Sequence, residues 1–208
     1  MLIKFGDLVN KYKLRPKGII HIGAHKAEEL NDYLASRVFD IVWVEGNEKL
    51  YSALKDKLKF LTENKVFNAI ISDKDDQEII FHITNNGESS SILELERHKI
   101  HHPQIHVTES VSGKTKTFDT LANENKLDLS KYDFLNLDIQ GAELMALKGM
   151  PDTLKTIKYV YTEVNTGEVY KNCAKIEELD EYLKTFGFDR VETHITEYEW
   201  GDAFYIKK

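Results

Sequence analysis

Two kinds of hydrophobic spacing alternate along this chain. Phe5, Leu8, Val9 and Tyr12 fall at helical intervals and predict a short amphipathic helix ahead of the break Arg15-Pro16-Lys17-Gly18. The run Gly18-Ile19-Ile20-His21-Ile22 then reads as a strand. A helix is expected over 26–36, burying Leu30, Tyr33 and Leu34. A strand over 41–45 follows, and then a helix face carrying Leu50, Leu54, Leu58 and Leu61. Residues 65–71 form a third strand. Beyond the polar turn 72–76, residues 77–84 alternate enough to form another strand, expected to pair with its predecessor as a hairpin.

From 85 to about 116 the chain is polar and carries His98, His101, His102 and His106. This stretch is expected to be a long surface insertion with some helix at 93–99, of the length often used for lids. Thr117 can cap a helix beginning at Phe118. A buried strand over 132–138 follows, then a helix over 143–148 that Gly149 can end. The remainder predicts a strand over 157–164, a helix with Ile176, Leu179, Leu183 and Phe186 on one face, stopped by Gly187, and strands over 189–195 and 202–207.

Alternating strands and helices imply an α/β domain with a mainly parallel seven-stranded sheet and helices on both faces. The last two strands are separated only by the turn 196–201, so they must pair as an antiparallel hairpin. The organisation expected is an N-terminal helix over 1–17, then one domain over 18–208 with the insertion at about 85–116.

Composition narrows the function classes. A length of 208 residues suits one domain, and 41% hydrophobic residues can supply its core. The net charge of −7 argues against a broad grip on nucleic acid. Cys173 is the sole cysteine, so no internal disulfide can form, which fits a reducing compartment. The first residues do not read as a signal peptide, and no apolar run is long enough to span a bilayer. A cytoplasmic protein without membrane or nucleic-acid partners is the expectation, and a homodimer remains open.

The most informative chemistry is a strand, a loop and an acid. The first strand runs into Gly23-Ala24-His25, and the second ends on Glu45, 22 residues beyond Gly23. This is the spacing of a βαβ nucleotide-binding unit, with a tight glycine turn under the ligand and a carboxylate that accepts hydrogen bonds from ribose hydroxyls. A third station is Asn136-Leu137-Asp138-Ile139-Gln140-Gly141-Ala142-Glu143. The plainer readings are an unliganded βα turn at Gly23, a solvated acid at Glu45 and a capping acid at Glu143. The histidines of 98–106 invite a metal, but Pro103 interrupts the segment and no cysteine lies near; a solvated loop on the acceptor side is preferred, with no metal site.

Three segments together resemble the FkbM family of S-adenosylmethionine-dependent methyltransferases. They are His21-Ile22-Gly23-Ala24-His25-Lys26-Ala27-Glu28-Glu29, Val44-Glu45-Gly46-Asn47 and above all Leu137-Asp138-Ile139-Gln140-Gly141-Ala142-Glu143. Leu147-Lys148-Gly149, Thr162-Glu163-Val164 and Phe186-Gly187-Phe188 extend the likeness to almost the whole chain. His21 stands where the family usually has Asp, Ala27 where it often has Gly, Gly46 where it often has Pro, and Asn136 where it often has Lys.

The resemblance implies a Rossmann-like class I methyltransferase fold, S-adenosylmethionine as donor with S-adenosylhomocysteine (SAH) as product, and O-methylation of a sugar, glycan precursor or other small metabolite. It places His21 and Gly23 beside the donor, with backbone N–H groups of Ala24 and His25 facing its carboxylate. Glu45, with Gly46 and Asn47, falls at the ribose, and Ser72 and Asp73 at the adenine. Asp138 falls beside the methyl group as base or acceptor anchor, with Glu163 lining the acceptor pocket and Asn165 just beyond. Two rivals share the βαβ unit: a non-catalytic binding module for the same ligand, and a nicotinamide-dependent oxidoreductase. The second lacks the three-glycine fingerprint and room for a further catalytic domain.

Overall fold

The computed structural model describes residues 1–208. Its centre is a sheet whose strands are β1 (Gly18–Ile22), β2 (Asp40–Glu45), β3 (Asn64–Asn68), β7 (Phe134–Leu137), β8 (Tyr159–Asn165), β9 (Phe188–Ile195) and β10 (Trp200–Lys207). The spatial order is β3-β2-β1-β7-β8-β10-β9. All neighbours are parallel except β10, which runs antiparallel to both β8 and β9. The seven-stranded parallel sheet with its closing hairpin therefore stands as expected.

Because side chains alternate across a strand, each strand serves two cores. Ile20, Ile22, Val42, Val44, Leu135 and Leu137 face one side, where they meet α5 (Phe118–Glu124), α6 (Glu143–Lys148), α7 (Pro151–Thr156) and α8 (Ile176–Lys184). Ile19, Ile41, Trp43, Phe134 and Phe204 face the other, against α1 (Phe5–Tyr12), α2 (Leu30–Ala35) and α3 (Glu48–Leu58). Phe5 of α1 packs edge-on to Tyr33 and Phe134, so the N-terminal helix is part of the second core.

Four expectations need correction. The first concerns α2, which starts at Leu30 and not at 26, because His25 (φ 43°) and Ala27 (φ 52°) hold a left-handed turn that no helix can include. Secondly, the run 65–71 is two strands: after β3 the chain leaves the main sheet, and β4 (Ile70–Ile71) joins a second one. Thirdly, β5 (Glu78–Thr84) does not form a hairpin with its predecessor but pairs antiparallel with β6 (Val107–Lys116), which also pairs parallel with β4. Lastly, the supposed loop 85–116 thus ends in a ten-residue strand, and its helix is the single turn α4 (His98–His101). Most of β6 is exposed, so no buried alternation marks it.

The short helix α7 carries no clear periodicity. It begins with Pro151 in its first turn, and Asp119 of α5 accepts from the backbone N–H groups of Asp152 and Thr153 at 2.8 and 3.0 Å. A cap supplied from 33 residues upstream leaves no local signal. No helix is long and apolar enough to cross a membrane.

Gly149 follows α6 as expected, but with φ −85° it is not a left-handed cap. A Cβ there would lie 2.0 Å from the carbonyl oxygen of Ser72, so glycine is needed for clearance. Gly149→Ala should destabilise the fold by about 2–3 kcal/mol, since backbone cannot yield as a side chain does. Chemical denaturation measures this, and an unchanged midpoint would mean that the two segments do not touch.

Candidate active site

The carboxyl ends of β1, β2, β7 and β8 meet at one edge of the sheet, where ligands bind in open α/β folds. Gly23 turns the chain off β1 with φ +87°. Its N–H and that of Ala24 both donate to the carbonyl of Val44, at 2.9 and 3.0 Å. A Cβ on Gly23 would sit 1.7 Å from the carbonyl oxygen of Asp138, so the loops after β1 and β7 lie backbone against backbone. Ala24 and His25 were expected to offer free N–H groups to the donor. Both are engaged within the chain, Ala24 with Val44 and His25 with Glu45.

Glu45 closes β2, buried. One oxygen accepts from His25 N at 2.8 Å and the other from Asn47 N at 2.7 Å. Burial pushes its pKa up, and the two backbone donors oppose that shift. Each carboxylate oxygen keeps a lone pair for a ligand. Asn47 is not a ligand contact: its Oδ1 accepts from Lys49 N and Leu50 N and caps α3. Ser72 and Asp73 also fall elsewhere. Ser72 is fully buried, its N–H donates to Lys116, and its carbonyl lies against Gly149. The residues that reach the cleft from this corner are Ala69, Ile70 and Ile71.

Two adjoining cavities occupy the sheet edge. A narrow slot of about 60 Å³ lies between Glu45, Gly46, Ile70, Phe81, Ile139 and Ala142, roofed by Gly87–Ile92 of the insertion. The larger, about 430 Å³, is lined among others by His21, Glu29, Asp138, Glu163, Tyr170 and Trp200. Gly23, His25, Glu88, Asp138 and Gln140 border both.

His21 stands at the wall of the larger cavity on a buried polar relay. Asn136 Nδ2 donates to the Tyr33 hydroxyl at 2.6 Å, which donates to His21 Nδ1 at 3.1 Å. The ring proton is thereby left on Nε2. Burial lowers the pKa of His21 and keeps it neutral, and the ring packs on Trp43 at 5.0 Å. Sequence alone set His21 and Asn136 apart as two departures from the family pattern; the fold joins them through Tyr33.

At the opposite wall, Gln140 binds two carboxylates at once. Its Nε2 donates to Asp138 Oδ1 at 2.7 Å and to Glu163 Oε2, while its Oε1 accepts from the Tyr170 hydroxyl. Gln140 holds a left-handed backbone, φ 58°. Glu163 is buried, and desolvation followed by the charges of Asp138 and Glu143 raises its pKa well above the ordinary range. The Met1 amino group lies 4.0 Å from Asp138 Oδ2. Gln140 and Tyr170 are the site residues that pattern reasoning missed. Gln140 sat inside the quoted motif without a role, and Tyr170 lies in a segment without periodicity. Asn165, also buried, follows Glu163 at the end of β8.

Glu143 is the acid that organises this loop. One of its oxygens accepts from Ile139 N at 3.0 Å and Gly141 N at 3.1 Å. Complete burial pushes its pKa up to about 7, and Asp138 adds to the rise. A carboxyl with a raised folded-state pKa makes the native state bind more protons than the unfolded chain. Its contribution to stability is therefore present at low pH and lost as pH rises from about 4.5 to 7. Glu143→Gln keeps an acceptor oxygen for both N–H groups and should gain roughly 2–3 kcal/mol over the parent protein across that window. Glu143→Ala leaves both donors unpaired and should be destabilised at every pH. Unfolding curves of the three proteins at several pH values check this; parallel pH dependences for parent and Gln variant would contradict it.

Sheet order, glycine turn and strand-end carboxylates together define the class I methyltransferase fold. The methyltransferase FkbM domain matches residues 21–190. The solved structure of a methyltransferase FkbM from Methylobacillus flagellatus KT superposes with a TM-score of 0.62 at 13% identity, over 98% of this chain and 48% of that one. This chain thus spans about half the length of that structure. A magnesium protoporphyrin IX methyltransferase from Synechocystis PCC 6803, solved with bound SAH, superposes with a TM-score of 0.51 at 10% identity, over 97% of this chain and 78% of that one. In sequence, the chain is 23% identical over 176 residues to the 2-O-methyltransferase NoeI of Sinorhizobium fredii (strain NBRC 101917 / NGR234), covering 81% of this chain and 71% of that protein. The chain belongs to the FkbM methyltransferase family. Its cofactor is S-adenosylmethionine, the methyl donor of that family.

Proposed function

We propose that this methyltransferase O-methylates a hydroxyl of a sugar, a glycan precursor or another small hydroxylated metabolite. The observation that carries the reading is the continuity of one cleft, which runs from Glu45 and the Gly23 turn to the Asp138–Gln140–Glu163 cluster. The likeness to a 2-O-methyltransferase supports oxygen as the accepting atom.

The residues present fit the donor. Glu45 is held by two backbone N–H groups with lone pairs to spare for ribose hydroxyls, and the apolar slot beside it suits a purine. The slot is narrower than a purine ring, so entry requires its roof at 87–92 to move. His21, with its proton on Nε2, offers a hydrogen-bond donor at the wall where the family carboxylate is replaced. When bound, the donor supplies an electrophilic methyl carbon and a sulfonium leaving group.

The chain supplies alignment and proton removal. Asp138 accepts the acceptor's hydroxyl proton as the oxygen takes the methyl group, and the electron pair of the breaking carbon–sulfur bond stays on sulfur. Gln140, oriented by Tyr170, fixes the Asp138 carboxylate, while Glu163 keeps its proton and serves as a hydrogen-bonding partner for the acceptor.

Two substitutions separate the roles. Glu45→Ala should weaken SAH binding by about 1–3 kcal/mol, the cost of charge-assisted hydrogen bonds to the ribose; unchanged affinity would remove Glu45 from the ribose site. Asp138→Asn should lower methyl transfer to hydroxylated acceptors by about 100-fold or more while SAH affinity holds. Equal losses in both measurements would make Asp138 a binding residue.

A further inference from the structure

The half of the larger cavity that faces the insertion has a wall of unusual composition. Segment 94–98 is tied across the strand ends by backbone bonds: Glu96 N and His98 N donate to Val169, Arg97 N to Glu168, and Lys171 N to Glu94. Arg97 also grips both carboxylate oxygens of Glu199 at 2.7 Å. These bonds set His98 against Tyr170 (5.6 Å between ring centroids) and His102 (5.0 Å), with Trp200 also lining the space. His98 is only 6% exposed, yet its Nδ1 has no hydrogen-bond partner within the protein. A buried ring nitrogen left unpaired at a cavity wall is a place for a ligand hydroxyl.

The charged side chains around the cavity are Glu28, Glu29, Glu88, Asp138 and Glu163; no lysine or arginine side chain lines it. Burial and the neighbouring histidines lower the pKa of His98 to about 4, so it adds no positive charge at neutral pH. Phosphate or carboxylate entering such a space would lose its hydration and face carboxylates without a compensating cation. A cationic acceptor would sit beside the donor's sulfonium and be repelled by it. Aromatic rings beside hydrogen-bonding nitrogens and carboxylates suit the mixed apolar and hydroxylated faces of a neutral sugar ring.

We propose that the acceptor is an uncharged polyhydroxylated ring, seated against His98, Tyr170 and Trp200, and that the acid-lined wall rejects phosphorylated, nucleotide-linked and acidic sugars. This rests on the methyltransferase reading and adds to it the charge class of the acceptor. Glu88, which is exposed and borders both cavities, acts as a gatepost of that selection.

The test is titration of the full chain, with and without SAH, against methyl hexosides, the matching hexose 6-phosphates, a nucleotide-diphosphate hexose, a uronic acid and an amino sugar. Neutral glycosides should bind at least about tenfold more tightly than every charged one. Glu88→Lys should narrow the gap to the phosphorylated sugars. His98→Ala should weaken neutral glycoside binding about tenfold with SAH affinity kept, and His98→Gln should recover part of that loss. Equal or tighter binding of an anionic or amino sugar, or no glycoside binding at all, overturns the proposal. A neutral-glycoside preference in a protein that does not bind SAH would support the charge selection and count against the methyl-donor reading.

Discussion

The structure depends on a backbone contact that tolerates no side chain. β1 sits between β2 and β7, and the loops leaving β1 and β7 touch at Gly23 and the Asp138 carbonyl. Val44 clamps Gly23 and Ala24 from one side, and Asp138 N donates to Ile22 from the other. This closeness brings the glycine turn, the acid ending β2 and the acid following β7 to one rim. Any side chain at Gly23 would force the loops apart, and its left-handed φ adds a second reason for glycine.

Around that contact, buried acids take different tasks from their surroundings. Glu45 and Glu143 both accept two backbone N–H groups, and both organise loops. Glu45 borders the cleft, whereas Glu143 lies behind it. Asp138 and Glu163 share one amide donor, and burial separates their behaviour by holding the proton on Glu163. Environment, not residue type, distinguishes a structural acid from one that meets an acceptor.

The sheet was legible because its strands are buried on both faces and read as short apolar runs, as in Ile19-Ile20 and Ile41-Val42-Trp43-Val44. The closing hairpin followed from the short link 196–201. The second sheet was not legible: β6 is exposed and polar, and β4 is two residues long. The start of α2 was hidden by two non-glycine residues in left-handed conformation. Within the site, strand-end positions such as Glu45, Asp138 and Glu163 could be placed from the order of elements. Asn47, Ser72 and Asp73 could not, because a cap or a fully buried corner looks the same in sequence as a polar contact. Gln140, Tyr170 and the His21–Tyr33–Asn136 relay are long-range pairings that only the fold reveals.

The central claim is that the cleft between the Gly23 turn and Glu45 holds the methyl donor. Calorimetric titration of the purified protein with SAH, with NADH as the comparison ligand, tests it most directly. The account predicts micromolar binding of SAH with one site per chain and no heat from NADH. Tight binding of NADH with none of SAH would contradict it and reassign the same βαβ unit to a nicotinamide cofactor.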